Sequence, residues 1–376
     1  EPFLLGLDRT SFDLDLNPTS SAVGSSPRGF AALGANRAVF GAFGTEGFGL
    51  WTTDGTAAGT LAVGGESIPE SANWTYGSAT TAAGTFLAIG RTGFPFDPGE
   101  GHLFFVDATL NEGRRLNRDR TFVVHRPPVA IGERVVFSAC EANSGCEPWV
   151  TDGSPAGTRL IADVLPGSQG SSFAPLEARG DHVLGWASVP GGAALWRTDG
   201  TEAGTRPASL STAGVFPSIA TIGSWTYFLR GPNPLLGPCG VLELRRVGDL
   251  AASEQLVAVL DVAYCGSSAV SLARVEDRLV VLDLHSGSNG LAERVWVSDG
   301  TFVETELAAE IPTSGFVGFA PAVVAGRLYF AAGDPGAQVL WSSDGTVVGT
   351  VVHPDLDLGS GERYFQGLVS FAGKAV

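Results

Sequence analysis

The chain alternates between short apolar segments and turns rich in glycine. Between residues 173 and 210, four such segments follow one another, at 174–179, 182–187, 194–198 and 205–210. The turns between them contain Gly-Asp, Pro-Gly-Gly and Asp-Gly. Short segments at even spacing with glycine-rich turns are typical of β-strands. This stretch therefore predicts a unit of four strands in an all-β fold.

One sequence pattern, Trp-x-x-Asp-Gly-Thr-x-x-Gly-Thr, recurs along the chain. It occurs five times, with Ser154 for the first Thr in one copy and Glu304 for the second Gly in another. Its tryptophans are Trp51, Trp149, Trp196, Trp296 and Trp341, and its aspartates are Asp54, Asp152, Asp199, Asp299 and Asp344. The period is near 48 residues, with degenerate copies at 103–107 and 241–245. A period of this length with four strands per unit indicates the blades of a β-propeller.

The motif has a mechanical interpretation. Asp-Gly favours a tight turn, because Gly accepts positive φ and Asp hydrogen-bonds to backbone amides two residues further on. Thr suits the strand that begins after the turn. The tryptophan offers a large apolar face for packing between neighbouring blades. We therefore expect these tryptophans and aspartates to be structural, with the tryptophans largely buried.

The repeats predict a single domain over residues 1–376, folded as one closed propeller of eight four-stranded blades. First strands are expected to start near residues 32, 78, 129, 175, 218, 271, 322 and 367. The segments Leu4–Asp15 and Leu368–Val376 each supply half of a unit, so we expect them to share one blade. A closed ring leaves no blade edge exposed. Seven blades, with one end segment outside the ring, is the alternative.

On these residues the chain resembles the bacterial ELWxxDGT-repeat proteins, which are secreted and consist of tandem units ending in this motif. The resemblance covers nearly the whole chain. The glutamate that opens the family's motif is missing from most copies, so the WxxDGT core carries the likeness. The resemblance implies a secreted, propeller-like repeat protein and implies no catalytic residues.

Composition narrows the functional classes. The 376 residues carry a net charge of −16 and a single lysine, Lys374. Nucleic-acid binding needs a basic patch, so it is disfavoured. No apolar run approaches the roughly 18 residues of a membrane span. The chain starts at Glu1 and contains no methionine, which favours a processed, secreted or cell-surface protein.

Four cysteines fit an oxidising compartment. Cys140 and Cys146 bracket a predicted loop, while Cys239 and Cys265 flank two strands of one unit. We expect disulfides 140–146 and 239–265. A zinc site is the competing interpretation, although no Cys-x-x-Cys spacing occurs and no histidine lies near either pair in sequence.

Carboxylates recur where the fourth strands end, at Asp15, Asp163, Asp261, Glu310 and Asp355. We expect each to cap the following loop by accepting backbone amides. The competing interpretation is a ring of calcium ligands, since hard cations favour clustered oxygens. Its best candidates are Asp355, Asp357 and Glu362, without the spacing of a known calcium loop. No other cofactor is expected.

Two insertions and the scattered histidines complete the functional candidates. The loop 91–100 contains Phe94 and Phe96, and the loop 231–239 contains Leu235 and Leu236. Apolar residues in such loops mark a partner surface, unless they fold back over the blade edge. The histidines, residues 102, 125, 182, 285 and 353, fall in different units and are expected to be ordinary strand or loop residues.

The sequence predicts a non-catalytic secreted or cell-surface binding or scaffold protein. Its partner would be a protein or a polysaccharide, with self-assembly included, engaged through the loops or the propeller face. The alternative is a carbohydrate-active enzyme, a glycoside hydrolase or lyase, with its site at the central channel. Propellers host such sites, but this argument rests on fold analogy alone.

Overall fold

The computed structural model describes residues 3–5, 11–13, 16, 25–69, 72–90, 101–117, 122–190, 192–209, 215–231, 240–248, 254–264, 270–287, 290–314, 321–334, 337–354, 370–371 and 374–375. Within these ranges the protein consists of strands and turns, with no α-helix. No helix there is long and apolar enough to cross a membrane. The chain divides into two compact units, residues 1–189 with 195–206, and residues 190–194 with 207–376.

The first unit contains three complete sheets. Sheet 1 consists of β3 (Arg28–Leu33), β4 (Arg37–Gly44), β5 (Gly47–Thr53) and β6 (Leu61–Ala62). Sheet 2 consists of β8 (Trp74–Thr80), β9 (Gly84–Gly90), β10 (His102–Asp107) and β11 (Glu112–Arg115), with β7 (Gly64–Gly65) added parallel to β11. Sheet 3 consists of β12 (Val123–Ile131), β13 (Arg134–Glu141), β14 (Gly145–Thr151) and β15 (Arg159–Leu160). The other neighbouring strands are antiparallel and in chain order.

Sheet 4 contains the boundary between the two units. It consists of β16 (Ala174–Arg179), β17 (His182–Val189), β18 (Gly192–Thr198) and β19 (Arg206–Pro207). The four predicted strands of this stretch are therefore confirmed, and only the fourth is shorter than expected. Its shortness follows from the turn described below, which uses residues up to Thr205 in its own hydrogen bonds.

The second unit contains three further sheets. Sheet 5 consists of β20 (Val215–Ile222), β21 (Trp225–Arg230), β22 (Gly240–Val247) and β23 (Gln255–Tyr264). Sheet 6 consists of β24 (Val270–Val275), β25 (Arg278–Gly287), β26 (Gly290–Ser298) and β27 (Glu306–Thr313). Sheet 7 consists of β28 (Ala322–Val324), β29 (Arg327–Ala332), β30 (Val339–Ser343) and β31 (Val351–His353). Two-stranded hairpins occur near the ends of the chain, β1 (Phe3–Leu5) with β2 (Ser11–Asp13) and β32 (Ser370–Phe371) with β33 (Lys374–Ala375).

The core lies between neighbouring sheets. Between sheets 2 and 3, Phe86 and Phe105 pack with Phe137 and Trp149. Apolar side chains likewise join sheets 5 and 6, and sheets 6 and 7. First strands contact one another in the order β3, β8, β12, β16 in the first unit and β20, β24, β28 in the second. Sheets therefore pack face to face through apolar side chains, as repeated units that cannot bury their faces alone must do.

The five complete motifs form one recurring turn. In the first copy, the Thr56 amide and hydroxyl both donate to Asp54 Oδ1, at 2.9 and 2.7 Å. The Gly55 amide donates to Thr53 Oγ1, at 3.0 Å. Thr60 Oγ1 donates its single proton to the Thr56 carbonyl. In the 2.7 Å contact between the Thr53 and Thr60 hydroxyls, Thr53 is therefore the donor and Thr60 the acceptor. The turn is thus a closed chain of side-chain hydrogen bonds, and the expected Asp contact is confirmed.

The other copies repeat this arrangement, including the hydroxyl that precedes the aspartate. That hydroxyl belongs to Thr53, Thr151, Thr198, Ser298 and Ser343 in chain order. The glycine after the aspartate has φ between 83° and 89° in every copy, as expected. At the second glycine position, a Cβ on Gly204 would lie 2.1 Å from Asp199 Oδ1. Glu304 occupies this position in sheet 6, where its amide contact is longer, at 3.4 Å.

One degenerate copy retains half of the turn. In sheet 2, the Thr109 amide and hydroxyl both donate to Asp107 Oδ1, at 2.7 Å each. These hydrogen bonds hold the pKa of the Asp107 carboxyl below its usual value, as Thr56 does for Asp54. The segment 103–107 therefore keeps the aspartate contact that its sequence appeared to have lost.

The repeat tryptophans differ in burial. Trp149 is 3% exposed and lies 4.6 Å from the Phe122 ring, centroid to centroid. Trp51, Trp196, Trp296 and Trp341 are half-buried. All five lie on third strands, so strand position does not account for the difference in burial. All five pack on buried apolar clusters, and Trp149 matches the expected burial in full.

The Cys140–Cys146 disulfide is confirmed. The two residues pair across β13 and β14, with a Cα–Cα distance of 3.8 Å. Cys239 and Cys265 lie outside the described residues, so the 239–265 disulfide stays a prediction.

We expect Thr198→Val to destabilise the protein by about 1–3 kcal/mol, because the Gly200 amide and the Thr205 hydroxyl lose a buried partner. Chemical denaturation of the variant and the wild type measures this change. Glu202→Gln, an exposed position in the same turn, serves as the control and should change little. Equal stability of Thr198→Val and the wild type would show that the hydroxyl chain is dispensable.

Candidate functional site

A charged cluster lies between sheets 5 and 6, within the second compact unit. Asp261 comes from β23, the last strand of sheet 5. Asp283 and His285 lie two residues apart on β25, so they share one face of that strand. Arg294 on β26 is the cross-strand partner of Asp283, which places it on the same face. The sheet topology thus brings together four ionisable residues from three strands of two sheets.

The hydrogen bonds of the cluster form one connected network. His285 Nδ1 lies 2.8 Å from Asp261 Oδ2. Arg294 donates to the same oxygen at 3.0 Å and to Asp283 Oδ1 through Nε and Nη2, at 3.0 and 2.9 Å. Trp296 Nε1 donates to Asp283 Oδ2 at 2.8 Å. Arg294 therefore links the two carboxylates, and Asp261 links Arg294 to the imidazole.

Burial distinguishes the members. The side chains of Asp283, Asp261 and Arg294 are 0%, 6% and 7% exposed, whereas that of His285 is 23% exposed. Burial raises the pKa of Asp283, and the Arg294 guanidinium opposes that rise. His285 is therefore the member of the cluster that solvent or a ligand reaches most easily.

The arrangement suits proton transfer. A carboxylate that accepts from Nδ1–H fixes the tautomer and leaves Nε2 as the proton acceptor. Among the described residues, no serine, threonine or cysteine lies within hydrogen-bonding distance of His285. The pair therefore fits a general acid or base better than a nucleophilic triad.

Other repeats do without this charge. The residue equivalent to Asp283 is Ala42 in sheet 1, Ala139 in sheet 3 and Ala332 in sheet 7, each 0% exposed. Folding of the repeat accommodates a buried alanine there. The charged cluster is thus specific to sheet 6 and not a general feature of the repeat.

A second acidic group lies on the opposite face of β26. Glu293 is 0% exposed, and its Oε2 accepts the Gly333 amide at 2.8 Å. Its Oε1 has no hydrogen-bond partner among the described residues. Burial raises the pKa of Glu293 to about 7, and the nearby Asp334 carboxylate adds to the rise. This carboxyl group therefore changes charge near neutral pH.

Glu147 lies on β14 of sheet 3, two residues before Trp149. It is 0% exposed and accepts four hydrogen bonds, from the Val164, Leu165 and Ser171 amides and the Ser171 hydroxyl, between 2.6 and 3.2 Å. These donors belong to the connection between β15 and β16. Glu147 therefore fixes this connection, and its role is structural.

The histidines are not all ordinary. His182 Nδ1 lies 2.9 Å from Asp181 Oδ1, but this aspartate is 87% exposed. His353 lies 2.8 Å from Ser342 Oγ, and His102 lies near Asn117. The side chain of His125 lies outside the description. Among the histidine side chains that the structure describes, only His285 combines an accessible imidazole with a buried carboxylate partner. The expectation that all five histidines are ordinary strand or loop residues therefore does not hold for His285.

The remaining predicted residues have the following placements. The five motif aspartates form the turns described above, and hydrogen bonds from the adjacent hydroxyl and amide lower the pKa of Asp54, Asp152, Asp199 and Asp344. Asp261 is one of the carboxylates at the ends of fourth strands, and it pairs with the side chains of His285 and Arg294. No group of three or more His, Cys, Asp or Glu side chains able to hold a metal occurs in the described part of the chain. The following candidates lie outside it: Phe94, Phe96, Leu235, Leu236, Asp355, Asp357 and Glu362.

Sequence reasoning missed the cluster, although a signal existed. Asp283 and His285 interrupt the apolar strand Leu279-Val-Val-Leu-Asp-Leu-His285, and no other copy has Arg two residues before its tryptophan. Charged residues at inward strand positions are rarely buried unless paired. Comparing the repeats position by position would have singled them out.

The comparisons with known proteins concern the fold. No family model and no curated protein matches the chain. The chain is similar to the computationally designed Ika8 protein, at 13% identity and a TM-score of 0.50, over 92% of this chain and 90% of that one. It is also similar to oligogalacturonate lyase from Vibrio parahaemolyticus, at 10% identity and a TM-score of 0.48, over 79% of this chain and 83% of that one. A third similar structure is puromycin hydrolase, at 16% identity and a TM-score of 0.46, over 88% of this chain and 54% of that one. The chain thus spans just over half of puromycin hydrolase. These neighbours are propeller-like proteins, and the likeness to Ika8 shows the fold alone.

The raised pKa of Glu293 predicts a pH dependence of stability. Between the unfolded value of 4.5 and about 7, the folded state binds the proton more tightly than the unfolded state. Stability should therefore fall as pH rises through this window. Glu293→Gln should remove this fall, so the variant should gain on the order of 3 kcal/mol on the wild type between pH 4.5 and 8.

Denaturation curves across this pH range measure the effect, with the exposed Glu306→Gln as the control. A stability difference between Glu293→Gln and the wild type that is constant with pH would contradict the assigned pKa.

Proposed function

We propose that the protein is a secreted carbohydrate-active enzyme, a hydrolase or a lyase, in which Asp261 and His285 transfer the proton. This proposal replaces the non-catalytic function expected from the sequence with its alternative. The observation that carries it is the accessible imidazole held 2.8 Å from a buried carboxylate that Arg294 also binds. A non-catalytic scaffold has no need of such a pair, since buried alanines fill equivalent positions elsewhere.

Carbohydrate chemistry fits the ionisable groups. Glycoside cleavage needs an acid and a base that work near the operating pH. Within the second unit, His285 and the pH-sensitive Glu293 lie on adjacent strands near the same end of sheet 6. They occupy opposite faces, so His285 is assigned the proton transfer and Glu293 a separate, pH-dependent role.

The proposal extends to fold and location. We propose one closed ring of eight blades in a member of the ELWxxDGT-repeat proteins, with seven blades as the alternative. The contacts between successive first strands support it, as does the packing of β28 against the C-terminal hairpin. The Cys140–Cys146 disulfide supports an oxidising, extracellular location.

The experiment is a turnover assay of the purified full chain on neutral, amino-sugar and uronate polysaccharides. We expect cleavage of at least one of them, and a loss of about 10²–10⁴ in kcat for His285→Gln, the usual contribution of a general acid or base. His182→Gln, in the other Asp–His pair, is the matched control and should keep full activity. Thermal midpoints of both variants exclude loss of the fold as the cause.

Absence of turnover on every substrate would reject the enzyme and favour the second candidate, a non-catalytic binding or scaffold protein. Full activity of His285→Gln would reject the assigned residue.

One observation favours that second candidate. Exposed apolar residues occupy the middle of the motif turns in sheets 6 and 7. They are Phe302 (73% exposed) and Val303 (79%) in sheet 6, and Val347 (40%) and Val348 (91%) in sheet 7. The equivalent residues of the first copy are alanines. Exposed apolar residues of this kind mark a partner surface. If this candidate holds, Phe302→Ser combined with Val348→Ser should abolish self-association in sedimentation or binding on a glycan array, with turnover absent throughout.

A further inference from the structure

Three hydrogen bonds attach the start of the connection between β29 and β30 to sheet 6. The Gly333 amide donates to Glu293 Oε2 at 2.8 Å, and the Thr313 hydroxyl donates to the Gly333 carbonyl at 3.2 Å. The Ser314 amide donates to Asp334 Oδ1 at 2.6 Å. Glu293 lies on β26, and Thr313 is the last residue of β27. Gly333 and Asp334, which follow β29 directly, therefore link sheet 7 to sheet 6 through polar contacts.

The carboxyl group of Glu293 has few hydrogen bonds for its burial. Glu293 is 0% exposed, and its Oε1 has no hydrogen-bond partner among the described residues. Glu147 is equally buried in sheet 3, but its two oxygens accept four hydrogen bonds. A buried carboxylate is stable in its charged form only when it is paired or well hydrogen-bonded. The single Gly333 amide therefore compensates an ionised Glu293 poorly, and the neutral form is favoured.

The nearby charge on the sheet 7 side adds to this effect. Besides burial, the Asp334 carboxylate raises the pKa of Glu293. The hydrogen bond from the Ser314 amide lowers the pKa of Asp334, so Asp334 stays ionised while Glu293 titrates. Loss of the Glu293 proton therefore places two negative charges near each other.

No described group on the same face of sheet 6 offsets this repulsion. The cross-strand neighbours of Glu293 are Leu284 on β25 and Ile311 on β27, and β29 packs against this face through Phe330 and Ala332. The adjacent segments 315–320 and 335–336 contain no ionisable residue. The ionisable residues next to Glu293 in the strand register lie on the opposite face of sheet 6, namely Asp283, His285, Arg294 and Glu310.

We propose that Glu293 is a proton-controlled latch between sheets 6 and 7. When protonated, it stays buried and accepts the Gly333 amide, so the β29–β30 connection is held against sheet 6. When ionised, it gains hydration by separating from Gly333, and repulsion from Asp334 acts in the same direction. The latch is closed in weakly acidic solution and opens as pH rises. It goes beyond the proposed enzymatic function and does not depend on it.

The pH window follows from the two states of the carboxyl group. The pKa of Glu293 is about 7 when the latch is closed, against an ordinary value of 4.5 when the side chain is hydrated. Opening therefore becomes easier throughout the interval between these two values and reaches a plateau above it. Between pH 5 and 8 the equilibrium constant for opening should rise roughly 50- to 100-fold.

Amide hydrogen exchange of the full chain, followed by NMR from pH 5 to 8, tests the latch. Protection factors correct for the intrinsic pH dependence of exchange, and we expect those of the Gly333 and Ser314 amides to fall roughly 50- to 100-fold. The Ala337 amide donates to the Asp334 carbonyl within the same connection, at 2.9 Å, so its protection should stay constant. Constant protection of Gly333, or an equal fall at all three amides, would overturn the proposal.

Two variants assign the response to its residues. Glu293→Gln keeps an acceptor for the Gly333 amide but cannot ionise, so the protection of Gly333 should not change with pH. Asp334→Asn removes the repulsion and keeps an oxygen for the Ser314 amide, so the fall at Gly333 should be smaller and should end at a lower pH. Glu306→Gln, an exposed position on β27, is the matched control and should keep the full fall. A fall of wild-type size in Glu293→Gln or in Asp334→Asn would overturn the latch.

Discussion

A hydroxyl two residues after each repeat tryptophan accepts the amide of the glycine in Asp-Gly and donates to the threonine that ends the turn. In sheet 2, Val106 takes the place of this hydroxyl, and the aspartate contact with Thr109 still forms. The aspartate then holds the next hydroxyl and amide, and that hydroxyl receives the second glycine's amide. Because all of these groups are satisfied within ten residues, the junction between the third and fourth strands forms from local sequence alone. Packing of the tryptophan then sets the sheet against its neighbour.

The motif turn stabilises one end of each sheet, so residues at the end away from the turn are free to vary between repeats. The residue two before the tryptophan lies on the third strand, toward its other end, and no turn contact restricts it. Glu147 fixes a connection and Arg294 joins two buried carboxylates, whereas Gly49 has no side chain at this position. One repeat position thus serves different purposes in different sheets, because the motif turn stabilises the sheet independently of it. Functional sites are expected where the repeat is irregular.

The sequence predicts the local structure well and the long-range contacts poorly. The four strands of 174–207, the positive φ of the motif glycines and the aspartate contact all follow from turn chemistry that acts within ten residues. The hydroxyl before each aspartate was also visible in the sequence, since that position is Ser or Thr in every copy. The Asp261–His285 pair spans 24 residues and two sheets, so it depends on how the sheets pack. The contact between Glu293 and Gly333 likewise joins two sheets, so the sequence does not predict it.

The central claim is that side-chain hydrogen bonds hold each motif turn. Amide hydrogen exchange followed by NMR tests it most directly, because each turn contains its own reference. The Gly55, Thr56 and Gly59 amides donate to side-chain oxygens, whereas Ala57 and Ala58 are exposed in the same turn. The account predicts that the three bonded amides exchange roughly ten- to a hundredfold more slowly than the two alanine amides. Equal exchange rates for all five amides would contradict it.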